Sequence, residues 1–158
     1  MYSFTNFSFP GSGTTAGTGT NMNGIANNGA AVGFGIDNAG NLTNFIRNPN
    51  GTYTTLNISG STTAMALGIN SGGDVVGTVN GTAFFLPPGG PVQSLTTLGT
   101  GSTAFGINDG GNFVGQFTTG WGQCPGSSSP VTQVWLSSPS MPLRVRTPST
   151  RRTSTTTG

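Results

Sequence analysis

One ten-residue motif occurs three times without gaps, and it limits the fold of this chain more than any other feature. Its copies are Gly24-Ile25-Ala26-Asn27-Asn28-Gly29-Ala30-Ala31-Val32-Gly33, Gly68-Ile69-Asn70-Ser71-Gly72-Gly73-Asp74-Val75-Val76-Gly77 and Gly106-Ile107-Asn108-Asp109-Gly110-Gly111-Asn112-Phe113-Val114-Gly115. They start 44 and 38 residues apart, a period typical of β-propellers and stacked arrays. Within each copy, Gly-Ile ends one short strand with an inward Ile. An Asn, Ser or Asp next to Gly then supplies the positive φ of a tight turn. The β-branched Val residues open the return strand on a half-buried face. Each copy therefore predicts a β-hairpin.

Further strands follow each hairpin. Asn80-Gly81 is a strong two-residue turn signal between Val75–Val79 and Thr82–Leu86. Pro87-Pro88-Gly89-Gly90 then turns the chain into Val92–Thr96, and the preceding repeat offers Phe45-Ile46 and Tyr53–Leu56 as the same parts. Four short strands per repeat of about 40 residues match a propeller blade. The expected fold is all-β, with short antiparallel strands in a β-propeller of few blades or an open β-array. Phe4-Thr5-Asn6-Phe7 resembles the Tyr53–Leu56 strand, so the chain is expected to open on a fourth strand that closes a small ring with the last blade. A repeat array with uncovered ends predicts self-association.

Composition supports this and bounds the rest. The chain has 28 Gly and 10 Pro among 158 residues and only 5% charged residues, which disfavours helices. A β-repeat domain over residues 1–136 is expected, with repeat cores at 24–33, 68–77 and 106–115. Residues 137–158 are rich in Ser, Thr, Pro and Arg and read as a disordered or loosely attached tail. Arg144, Arg146, Arg151 and Arg152 lie in the last fifteen residues, while residues 1–143 carry a net −2 from Arg47, Asp37, Asp74 and Asp109. The basic pI thus belongs to the tail, and nucleic acid is not an expected partner of the folded part. No apolar run reaches the length of a membrane span, and no signal peptide is visible at Met1–Phe4. Cys124 is alone, which excludes an intramolecular disulfide.

The chain has no His, Lys or Glu, so it holds no Ser-His-Asp triad, Schiff-base lysine or histidine zinc site. Its three carboxylates all lie in or beside Gly/Asn-rich turns. Asp37 and Asn41, Asp74, and Asp109 with Asn112 are oxygen donors of the kind Ca²⁺ takes. They are the candidate metal ligands, with Ca²⁺ as the expected cofactor. The competing reading gives the same groups to turn capping through side-chain hydrogen bonds. Asp74 and Asp109 are the candidate catalytic residues, since a bound Ca²⁺ could polarise a carbonyl while an aspartate serves as a weak base. Trp121 and Trp135 offer aromatic surface for a glycan or small-molecule ligand, or for packing.

The unit Gly-Ile-Asn-x-x-Gly-x-Val-Val-Gly, with an x-Ala-Phe strand and a Thr-Thr-Leu strand, resembles the HAF-type extracellular repeat of environmental bacteria. The resemblance covers roughly residues 3–117. Thr82-Ala83-Phe84 and Thr43-Asn44-Phe45 stand where that family has His-Ala-Phe, so no role of the histidine carries over. The resemblance implies a secreted or cell-surface β-repeat protein and no settled activity. The expected function is an extracellular binding or scaffold module, calcium-stabilised. The alternative is a calcium-dependent hydrolase of a small activated ester or lactone.

Overall fold

The computed structural model describes residues 1–58, 63–96, 101–119, 131–138 and 141–144. Among these residues twelve strands form three four-stranded antiparallel sheets, each a simple meander. The first holds β1 (Gly19–Ile25), β2 (Ala31–Ile36), β3 (Leu42–Arg47) and β4 (Tyr53–Thr55). The second holds β5 (Met65–Ile69), β6 (Val75–Val79), β7 (Thr82–Leu86) and β8 (Gln93–Ser94). The third holds β9 (Thr103–Ile107), β10 (Phe113–Thr119), β11 (Val131–Ser138) and β12 (Met141–Arg144). The fold is all-β, as the repeat predicts, and it is an open array.

Each motif forms the expected hairpin between the first two strands of its sheet. Gly29, Gly73 and Gly111 take φ values of 85°, 87° and 74° at equivalent turn positions, where a side chain would be strained. The same two backbone bonds close all three turns, Gly29 N to Ala26 O and Ala26 N to Ala30 O in the first. Asn80 and Gly81 both have positive φ, at 50° and 71°, as the turn between β6 and β7 requires.

The sheets stack in one direction. We term the face that meets the following sheet the front, and the opposite face the rear. Val32 on the front of the first sheet is buried with Ala66, Ile69, Val75, Phe84 and Leu86 on the rear of the second. Val76 on the front of the second is buried with Ala104 and Phe117 of the third, beside Phe85, Ile107 and Phe113. Neighbouring valines in β6 thus serve two different cores, as period-2 alternation dictates.

The motif's first glycine lets the first strands of successive sheets meet backbone to backbone. A Cβ on Gly24 would lie 2.8 Å from the Leu67 carbonyl oxygen, and one on Gly68 would lie 2.8 Å from Gly106 Cα. Its last glycine serves a second approach, within the sheet. A bulge interrupts the pairing of the first two strands at Met22/Gly24, Ala66/Gly68 and Val114/Gly115. In the first two sheets it brings the Asn21 and Met65 carbonyls over Gly33 and Gly77. These glycines pair across the sheet with Phe45 and Phe84, and Gly115 pairs with Trp135.

The amino-terminal expectation is not met. Residues 1–18 contain no strand, and β12 supplies the outer strand of the third sheet from the segment read as tail. Phe9 instead lies on the rear of the first sheet, stacked on Phe45 at 4.3 Å and edge-on to Tyr53 at 5.5 Å. Gly13 N donates to Ile36 O, and Phe9 N donates to the Thr20 hydroxyl. Aromatic stacking and these bonds hold the segment against a sheet face rather than along an edge.

Candidate functional site

Stacking three equal hairpins brings their turns together at one end of the array. Asp109 sits at the tip of the β9–β10 turn, and both of its carboxylate oxygens have donors from the other two turns. Oδ1 accepts from Ser71 N at 2.8 Å, and Oδ2 accepts from Asn27 Nδ2 at 2.8 Å. Asn28 Nδ2 donates to the Ser71 carbonyl at 3.1 Å, and Asn70 Nδ2 donates to the Asn108 carbonyl at 3.2 Å. One carboxylate and three amide side chains therefore tie all three repeats at their tips.

Asp74 belongs to the same end but faces its own turn. Its Oδ2 accepts from Asn70 Nδ2 at 2.8 Å, and its amide donates to Asn70 Oδ1 at 2.9 Å. Asn112 repeats half of this, with its amide donating to Asn108 Oδ1 at 2.9 Å. Asp74, Asp109 and Asn112 are thus gathered in one region. Asp37 and Asn41 are not: they occupy the β2–β3 turn, at the opposite end of the first sheet. Asp37 Oδ1 accepts from the amides of Ala39 and Asn41, and Oδ2 accepts from Asn41 Nδ2, all at 2.8 Å. That is the side-chain capping of a turn.

The donors act on charge. Hydrogen bonds from the Ser71 amide first, then from the Asn27 side chain, hold the Asp109 carboxyl below its ordinary pKa. The Asn41 side chain leads the same effect at Asp37, joined by backbone amides. Asp109 is exposed and Asp37 half-buried, and each depressed value means the ionised form is favoured in the folded state. Their stabilisation is present above the ordinary carboxylate pKa of about 4 and is lost as pH falls through the lower folded value. Asp109→Asn is expected to lose less melting temperature than the wild type between neutral pH and about pH 3. Equal losses in the two proteins, followed by circular dichroism, would remove the bridge from the account.

Two contributions escaped the sequence reading. Asn70, buried within the fold, staples its own turn and also reaches the next one. Its signal was the third motif position, Asn in the second and third copies and Ala26 in the first. Asn44, also buried, donates to the Ala64 carbonyl and accepts from Ala66 N, at 2.8 and 2.9 Å, joining the first two sheets. Among the described residues no three acidic or cysteine side chains group in metal-binding array. Among the described residues no helix is long and apolar enough to cross a membrane. Trp121 and Cys124 lie outside the described residues, as do residues 145–158. Comparison with protein-family models, curated proteins and solved structures returns no match.

Proposed function

We propose that this chain is a binding or scaffold module of extracellular type, built by stacking β-repeats. The observation that carries the reading is Asp109, whose two oxygens accept from two other repeats. The carboxylate best placed for chemistry acts as a fastener between turns. The likeness of the motif to secreted HAF-type repeats supports the surface location. Calcium binding at the tip cluster is a further part of the reading, with Asp74 and Asp109 as anionic ligands and turn carbonyls as neutral ones. An ion at Asp109 would replace N–H donors now held by its oxygens, so binding would rearrange the tips.

Two measurements test this. Melting in chelator and in millimolar calcium reports the ion, since a ligand held by the native state alone raises the midpoint. A rise of several degrees that Asp109→Ala removes would place calcium at the tips. An assay with an activated ester and a lactone tests the module against the hydrolase. The expected result is no turnover with or without calcium. Calcium-dependent turnover, lost in Asp74→Ala or Asp109→Ala variants that still fold, would overturn the module in favour of the hydrolase.

A further inference from the structure

We infer that the two ends of the array are complementary halves of one interface, and that a second copy of this chain stacks on it head to tail. Equivalent positions of the repeat differ at the two ends of the array. Val32 and Val76 are each 0% exposed on the fronts of the first two sheets, whereas Val114, their counterpart on the front of the third, is 43% exposed. Gly24 and Gly68 each receive the backbone of the next sheet. Among the described residues no backbone approaches Gly106, and the nearest atom to a Cβ there is Val114 Cγ2 at 3.8 Å. The seat that accepts a following sheet is therefore formed a third time and left open.

The other end is open in the matching sense. Ile69 on the rear of the second sheet is 4% exposed, but Ile25, its counterpart on the first, is 75% exposed. Met22 and Ala31 correspond to Ala66 and Val75, which are buried against the first sheet. Together with Phe7 and Arg47, Met22, Ile25 and Ala31 line a depression of about 340 Å³ on this face. Phe9 covers this face at Phe45, and on β1 and β2 Ala31 is already buried and Met22 half-buried, which leaves Ile25 exposed. Gly106 and Val114 lie on the matching strands β9 and β10, so the residues left open at the two ends are the motif isoleucine and the motif valine.

The occupant follows from this continuity. Twice within the chain, a front bearing the motif glycine and valine is covered by a rear bearing the motif isoleucine. A second copy presents the same rear to the open front, and its own open front remains for a third. Such a contact is heterologous, so it extends to filaments unless the rotation closes a ring. The inference rests on the scaffold reading for its purpose, and on the repeat geometry alone for its surfaces. Arg47 stands at the rim of the depression, its guanidinium 4.9 Å from the centre of the Phe7 ring.

Sedimentation velocity over a concentration series on the wild type, Ile25→Asp and Val114→Asp tests the inference. Gly106→Ala serves as a second front variant, because a methyl there has room in the single chain and none beneath an incoming backbone. The wild type is expected to form species larger than a dimer, or one closed ring, as concentration rises. Each variant alone is expected to associate about thirtyfold more weakly or worse. Mixing Ile25→Asp with Val114→Asp or Gly106→Ala restores one intact contact and is expected to yield a one-to-one complex that grows no further. A wild type that stays monomeric overturns the inference, as does association that survives in every variant. So does a dimer that the mixture fails to rescue, since that marks a self-paired surface. Ester turnover bears only on the scaffold reading, so the two fail separately.

Discussion

Gly77→Ala is expected to lower stability by about 3 kcal/mol or more, at the upper end of overpacking costs. Its Cβ would overlap the Met65 carbonyl oxygen and stand 2.8 Å from Phe84 Cε1. Neither neighbour has room to give. The carbonyl is held there by the bulge at Ala66/Gly68, and the Phe84 ring is buried between two sheets. The backbone at Gly77 has no positive φ, so the penalty is one of space rather than of dihedral preference. Urea unfolding followed by circular dichroism checks the value, with Gly106→Ala as the control. Among the described residues that substitution meets Val114 Cγ2 alone, at 3.8 Å, and is expected to change stability by no more than about 0.5 kcal/mol. Measured at concentrations too low for association, equal costs at the two positions would refute the close approach.

This contrast shows where the sequence could be read and where it could not. Turn positions were legible because their chemistry is local: Asn80-Gly81 and Asn28-Gly29 take the positive φ where expected, while in the second and third copies it falls one residue beyond the Ser-Gly and Asp-Gly steps, on Gly73 and Gly111. Strand positions followed from alternation, and Thr82–Leu86 matches β7 to the residue. The purpose of Gly77 was not legible, because it depends on a carbonyl twelve residues earlier and on a ring across the sheet. The direction of stacking was hidden for a related reason. Three near-identical motifs present the same Ile and Val, and nothing within one copy says which neighbour each side chain will meet.

The candidate site divides in the same way. Asx residues in turns announce oxygen donors, but not whether the acceptor lone pairs face an ion or an N–H group. That choice is made between repeats, where Ser71 N and Asn27 Nδ2 reach Asp109 across 38 and 82 residues of chain. Phe9 illustrates the opposite failure. The aromatic–polar run Phe4–Phe7 resembles a strand but forms none, and the segment is instead held just beyond it, by the stacking of Phe9 on the Phe45 ring.

Phe84→Ala is expected to cost about 3–5 kcal/mol, the range for removing a buried aromatic ring. Phe84 is fully buried and among the largest such side chains of the fold. It shares one buried cluster with Ile69, Val75 and Leu86 of its own sheet and Val32 of the first. Most of these are small or β-branched, and their positions are fixed by strand pairing, so the space left by the ring cannot collapse. Phe45 occupies the equivalent place on the first sheet, but there Phe9 supplies the cover. Phe9 is only partly buried, so Phe9→Ala should cost markedly less than Phe84→Ala. A domain of this kind has about 5–15 kcal/mol of stability in total. Removing one ring from such thin cores therefore takes a large share of it, and Phe84→Ala should melt about 10 °C or more below the wild type. Because that ring seals the contact between the first and second sheets, the two sheets should also lose hydrogen-exchange protection together. Loss confined to the second sheet would show that the sheets fold as separate units. Joint loss would show that the stacking contact, rather than any single meander, is the unit of stability.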